Sequence, residues 1–257
     1  MVTKAHDLRL PMVRRSLADY CRQTHAHREL VIVVDAEAEA DGDAVRAAVA
    51  ELGRADIRVV VPEAKHSLGA LRNISWQEAS GDIVCQWDDD DLNHPRRIEL
   101  QLAALRASGK SACYLQEFVQ YFPMARCLYK LSFLMTPGTV AMMTLMCLRS
   151  LPVRYPEAGP DSIRGEDRAL ALEIKHTVGF HALAGMPHLY VYVSHGANTM
   201  DDAHHRMLAD ELGVSQGLLR RYEAALREGL ASFDFGPEAV EFMGRNGVAF
   251  TIPGRGR

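Results

Sequence analysis

Asp88, Asp89, Asp90 and Asp91 follow the apolar run Ile83-Val84-Cys85-Gln86-Trp87 without a break. Two carboxylates about 6 Å apart repel by roughly 0.7 kcal/mol in water, and by about four times that at an effective dielectric of 20. Four of them at a strand end therefore point to bound positive charge. In an extended chain Asp88 and Asp90 share one side, Asp89 and Asp91 the other. An i, i+2 carboxylate pair suits one hard divalent cation, Mg2+ or Mn2+, whose remaining oxygens come from water and a substrate phosphate. The competing reading is a solvated acidic loop.

Other residues of chemical interest are scattered. Glu166-Asp167 follows Gly165 at the start of a helical stretch, where helix-dipole complementation alone would explain two acids. His195 follows the run Leu189 to Ser194 (LYVYVS). His204-His205 with Asp201 and Asp202 is a weaker metal candidate, and a solvated polar turn is the preferred reading there.

The elements that position these groups alternate. Leu8 to Gln23 reads as a helix after a three-residue strand end, Met1-Val2-Thr3. That first strand is short, so the native start is expected either upstream or at a clipped strand. Glu29 to Asp35 (ELVIVVD) and Ile57 to Val61 read as buried strands, with a helix over Asp43 to Leu52 between them. Ser67 caps a helix from Leu68 to about Ser80 that buries Leu68, Leu71 and Ile74, with Gly81 as its stop. Asp82 to Trp87 is a third strand. Asn93-His94-Pro95 starts the next helix, with Ile98, Leu102 and Leu105 on one side. Strands alternating with helices imply a mostly parallel sheet flanked by helices, with ligands at the carboxyl ends of its strands. Asp35 and the Asp88–Asp91 run fall at such ends.

Further on, Ala112 to Tyr121 and Leu189 to Ser194 read as strands and Glu166 to His176 as a helix. The tail from about Asp201 reads as mainly helical and ends in the apolar piece Val248 to Ile252. Leu131 to Leu148 is apolar, but Pro137-Gly138 breaks it, so it reads as two buried strands around a turn rather than a membrane span. Met142, Met143, Met146, Trp76 and Trp87 are assigned to the core.

The chain has 257 residues, 48% hydrophobic and 24% charged, which fits a globular α/β protein. A net charge of −4 argues against a general nucleic-acid binder. Five cysteines without a CxxC pair suit a reducing compartment rather than a zinc site or a disulfide framework.

Taken in order, Gln23-Thr24-His25 before ELVIVVD, Leu68-Gly69-Ala70-Leu71-Arg72-Asn73, Ala79-Ser80-Gly81-Asp82-Ile83, Trp87-Asp88-Asp89-Asp90-Asp91 with His94-Pro95, and Gly165-Glu166-Asp167 resemble glycosyltransferase family 2. The resemblance covers roughly residues 1 to 200. It implies a GT-A type single domain over 1–200, with a helical C-terminal extension over 201–257 packed on it. It also implies inverting, hexosyltransferase-like transfer of a sugar from a nucleotide-diphosphate sugar to an acceptor hydroxyl. In that chemistry the cation neutralises the diphosphate leaving group and one carboxylate takes the acceptor proton.

Residue by residue, Asp88 and Asp90 resemble the family's DxD pair. Asp90 is then the direct metal contact, and Asp88 lies nearer the ribose or the metal. Four consecutive aspartates allow two registers, which leaves Asp89 as a further donor-binding candidate and Asp91 ambiguous. Asp35 would hold the nucleoside base, although Ala36-Glu37-Ala38-Glu39 departs from the family's small residues after it. Arg72 and Asn73 would lie near the nucleotide. Asp167 would be the base, Glu166 would position the acceptor or the base, and His195 would be a further metal ligand.

The implied cofactors are Mn2+ or Mg2+, with a UDP-sugar favoured as donor. The implied partners are that donor and a glycan, lipid-linked or small-molecule acceptor, with no nucleic acid and no transmembrane segment; a homodimer stays open. The expected location is the cytoplasm, with peripheral membrane docking open. Two alternatives remain: a catalytically degenerate nucleotide-sugar binder, and a nucleotidyltransferase, which the glycine-free stretch Met1 to Leu10 disfavours. A calcium module is disfavoured because the run lacks the D-x-D-x-D-G spacing.

Overall fold

The computed structural model describes residues 1–4, 9–36 and 42–255, and the chain divides into two compact units. The first comprises Met1–Asp90, Ile98–Tyr114 and Met142–Ala182; the second comprises Asp91–Arg97, Leu115–Ala141 and Leu183–Arg257. Leu8 and Glu37–Glu39, discussed above, lie outside the described residues.

The first unit opens with strand β1 (Val2–Lys4), helix α1 (Leu10–Cys21), β2 (Leu30–Asp35), α2 (Asp43–Ala50), β3 (Ile57–Val60), α3 (Leu68–Glu78) and β4 (Ile83–Cys85). β1, β2 and β3 form a parallel sheet in that order, with Val2 opposite Val33 and Ile32 opposite Val59. β2 is buried from Leu30 to Val34, the pattern of a strand covered on both faces. α1 has Pro11 in its first turn and buries Val13, Ser16, Leu17 and Tyr20, an i, i+3, i+4, i+7 stripe against Ile32, Val34 and Trp87. β4 pairs antiparallel with the strand Ala141–Leu148, in a second sheet that also holds Ala112–Leu115 and His181–Leu183.

α3 presents two stripes rather than the single one expected. Leu71 and Ile74 pack on Val31 and Val33 of β2. Gly69, Asn73 and Trp76, at i, i+4 and i+7, are buried on another side. Ser67 caps the helix by accepting from the Ala70 amide at 3.2 Å.

The second unit is a six-stranded mixed sheet in the order Gly247–Ile252, Val240–Gly244, Cys127–Ser132, Glu117–Phe122, Tyr190–Val193, Leu92–Asn93. Three helices, Asp202–Leu212, Gln216–Arg221 and Glu223–Leu230, accompany it. The final apolar piece is a strand, not a loose end. It pairs antiparallel with Val240–Gly244, which in turn pairs parallel with Cys127–Ser132, and Phe242 and Phe250 enter the core. The tail is thus structural in this unit.

Two expectations shift. Ala112 to Tyr121 is two strands, because the Gln116 amide donates to Leu183 O and Gln116 O accepts from Phe133 N, which takes the chain from one sheet to the other. Asn93 does not open a helix. Its backbone pairs with Tyr190, and the helix starts at Arg97, beyond the turn at Pro95. The apolar stretch Leu131 to Leu148 resolves into strands around a turn, and no helix among the described residues is long and apolar enough to cross a membrane.

Candidate active site

β4 delivers Gln86 and Trp87 to the acidic run. Trp87 is buried, and its Nε1 donates to Ser16 Oγ at 2.8 Å, which donates on to Asp88 O at 3.1 Å, so α1 fixes the backbone where the run begins. Burial then alternates through the four aspartates. Asp89 and Asp91 are 4% and 1% exposed, while the side chains of Asp88 and Asp90 keep 16% and 14%.

The buried pair is occupied. Asp91, in the second unit, accepts from the Tyr190 hydroxyl and from Val193 N at 2.7 Å. It ties two strands together and presents no open oxygen to a ligand. Asp89 accepts from Thr3 Oγ1 at 2.6 Å. Burial first, then the neighbouring Asp90 charge, pushes its carboxyl up to about 6, against the pull of Arg9. Asp89 is thus held inside the fold by Thr3. The more exposed pair meets arginines instead: Asp90 takes Arg9 Nη1 at 2.6 Å, and Asp88 takes Arg72 Nη1 at 3.0 Å.

Arg72 is the hub of the first unit's site. It reaches Asp88, Glu166 Oε1 at 3.0 Å and Asp167 Oδ1 at 3.6 Å, and its guanidinium lies 5.6 Å from the centre of the Tyr155 ring. Burial opposes its charge, but Asp167, Asp88, Tyr155 and Glu166 together hold it protonated well above the usual range. Glu166 and Asp167 open the helix Glu166–Thr177, where the dipole favours acids. Gly165 before them has φ +93°, a left-handed conformation that turns the chain into the helix.

Asp167 is the least satisfied carboxylate here. Its side chain is 21% exposed, Gln86 Nε2 approaches Oδ2 at 3.3 Å, and Oδ1 has no hydrogen-bond donor among the described residues. Burial raises its pKa to about 7; Arg72 pulls it down, and Glu166 and Asp88 push it further up. Gln86 also reaches Asp88 Oδ2 at 3.3 Å, and its Oε1 accepts from the Tyr155 hydroxyl at 2.9 Å. Gln86 therefore links the end of β4 to the head of the second acidic pair.

Asn73 holds a neighbouring segment in place. Its amide donates to Tyr155 O at 2.9 Å and Glu157 Oε1 at 2.8 Å and accepts from Tyr155 N at 3.0 Å. It clamps the segment that carries Tyr155. Gly69, one turn earlier, lets that segment close in, since a Cβ there would lie 1.9 Å from Pro156 O. Asp35 ends β2 opposite Lys4 and is half-buried. His195 lies in the second unit, where its Nδ1 accepts from Ala197 N at 3.3 Å.

Sequence reasoning missed Gln86, Arg9 and Tyr155. Gln86 had a signal, being two residues from Asp88 and so on its side of an extended chain. Arg9 and Tyr155 are brought in by tertiary contacts alone.

A divalent cation fits the donor set. Asp88 and Asp90 offer hard oxygens, and five carboxylates (Asp88, Asp89, Asp90, Glu166, Asp167) outnumber the three arginines (Arg9, Arg15, Arg72) that touch them or their backbone. Among the described residues no cluster of three His, Cys, Asp or Glu side chains forms a cage, so water and phosphate would complete the shell.

Residues 6–126 match the family described as glycosyl transferase family 2, and that segment is of this family. The chain has the GT-A fold. It is similar to TarS 1–349 of S. aureus, at 13% identity and TM-score 0.57, covering 89% of this chain and 72% of that one. The same protein in complex with UDP-GlcNAc gives 12% identity and TM-score 0.58, covering 91% and 66%. The mannosyltransferase PcManGT of Pyrobaculum calidifontis, in complex with GDP-Man and Mn2+, gives 17% identity and TM-score 0.56, covering 88% of this chain and 63% of that one. No curated protein sequence matches the chain.

Proposed function

We propose that the chain is a cation-dependent, inverting glycosyltransferase that moves a sugar from a nucleoside-diphosphate sugar to an acceptor hydroxyl. The observation that carries the reading is Asp167: a carboxylate with an oxygen that no donor satisfies among the described residues, in the same arginine-centred cluster as Asp88, and with burial raising its pKa to about 7. A general base works best when its pKa lies near the working pH. Inversion needs one such base, opposite the leaving diphosphate. The family match and the nucleotide-sugar complexes of the similar folds support the same class.

In this reading Asp35 receives the nucleoside base, and Asp88 and Asp90 hold Mn2+ or Mg2+. The cation supplies charge neutralisation at the diphosphate. Arg72 fixes the orientation of Asp88, Glu166 and Asp167. Asp167 takes the acceptor proton on Oδ1, and Glu166 keeps Arg72 in place. UDP is the first donor nucleotide to try.

Calorimetric titration of UDP, GDP, CDP and dTDP, with and without Mn2+, tests the donor site in the wild type and in Asp88→Ala. One nucleotide should bind with Mn2+ dependence that the variant loses. A folded wild type that binds none of the four would end the proposal. Release of nucleotide from the matching sugar donor then separates a working enzyme from a protein that only binds.

A further inference from the structure

Both members of the exposed i, i+2 pair already carry a guanidinium. Asp88 has Arg72 at 3.0 Å. Asp90 has Arg9, whose Nη1 sits 2.6 Å from Asp90 Oδ2 and 3.6 Å from Asp89 Oδ1. Arg15, on α1, donates to Asp90 O, so the residue is gripped at side chain and backbone by basic residues of one segment. The Arg9–Asp90 pair is poorly hydrated, with side chains 16% and 14% exposed. Arg72 reaches three carboxylates, Asp88, Glu166 and Asp167, and Arg9 reaches two in the run, Asp89 and Asp90.

A divalent cation on Asp90 would stand beside the Arg9 guanidinium as a second positive charge on one carboxylate, and that repulsion favours displacing the side chain. A displaced positive charge needs a new anion. A diphosphate is such an anion, because a guanidinium presents two parallel donors that match phosphate oxygens.

We infer that Arg9 is a place-holder for the cation: it keeps Asp90 neutralised in the free protein and transfers to the nucleoside diphosphate when that ligand brings the cation in. The inference rests on the donor reading above and goes further, because it makes cation and diphosphate binding mutually dependent through one side chain. By linkage, the factor by which the nucleotide tightens the cation equals the factor by which the cation tightens the nucleotide. The dication brings one more positive charge to Asp90 than the guanidinium did, and the diphosphate supplies the negative charge that offsets both. The cation replaces the guanidinium at Asp90, and the guanidinium goes to phosphate.

The test is Mn2+ titration followed by the electron paramagnetic resonance of the free ion, with and without saturating UDP (or whichever of GDP, CDP or dTDP binds). The wild type should bind Mn2+ at least tenfold more tightly with nucleotide than without. Arg9→Gln, checked for folding by circular dichroism, should bind Mn2+ alone at least tenfold more tightly than the wild type, and nucleotide should then add less than threefold. Arg9→Lys keeps the charge without the paired donors, so Mn2+ alone stays weak while the gain from nucleotide shrinks.

Mn2+ affinity in Arg9→Gln within twofold of the wild type overturns the inference while leaving the transferase reading intact. If Arg9→Gln does not fold, equal Mn2+ affinity of the wild type with and without nucleotide overturns it, as does Arg9→Lys with an unchanged nucleotide gain. A wild type that binds no nucleotide ends both.

Discussion

Asp91 and Asp167 are both aspartates withdrawn from water, and they have opposite fates. Asp91, in the second unit, is 1% exposed, with a tyrosine hydroxyl and a backbone amide donating to it. Asp167, in the first unit, keeps 21% exposure and an oxygen without a donor. A buried carboxylate whose lone pairs are taken is a rivet. One whose lone pairs are only half taken stays basic and available to an incoming proton. Burial alone does not separate a carboxylate fit to act as a base from a structural one; what separates them is the supply of donors.

The largest effect expected from this contrast is at Asp167. Asp167→Asn should lower kcat by about 10^2- to 10^4-fold, the range of general acid–base catalysis, with nucleotide affinity changed only a few-fold. Full turnover in that variant, followed by nucleotide release, would break the comparison. Asp91→Asn should do the reverse. Losing hydrogen bonds to a charged acceptor costs about 1.5–3 kcal/mol each. At about 2–4 °C per kcal/mol for a chain of this size, Tm should fall by several degrees. A calorimetric scan checks this, and the folded fraction should still bind nucleotide.

The pH dependence follows with its sign. Asp167 must be ionised to act, and its pKa is raised to about 7, so kcat/KM should climb as pH rises through about 7, a limb absent in Asp167→Asn. Stability runs the other way. A carboxyl with a raised folded pKa favours the folded state below its unfolded value, near 4, and that contribution is lost as pH rises through about 7. Asp167→Asn should therefore melt higher than the wild type at pH 8 and equally at pH 4. The smallest effect is expected at Tyr155→Phe, which frees Gln86 Oε1 from its 2.9 Å donor. Gln86 then loses orientation, and kcat should drop about three- to tenfold with little change in Tm; no change in kcat would confine Tyr155 to packing.

The order of strands and helices in the first unit was legible because β2 is a run of buried aliphatics and α3 carries its own cap at Ser67. The alternation of burial along the acidic run was legible from strand geometry, and it is what the structure has. Arg9 and Tyr155 were not legible, because neither lies in a periodic pattern and both reach the site by folding. The clamp that Asn73 places on the Tyr155 segment was not legible for a related reason: its partners lie more than eighty residues away in the chain. Pro95 looked like a helix start because the sequence cannot show that the Asn93 backbone is already committed to Tyr190.

Gly69 sets a limit on engineering. Replacing a helical glycine by alanine is a standard route to thermostability and commonly gains about 0.5–1 kcal/mol. Here the added methyl would land 1.9 Å from Pro156 O, on backbone that cannot rotate aside. Position 69 should therefore be left out of any stabilising library, since pushing α3 outward moves Arg72, one turn along, off the carboxylates it aligns.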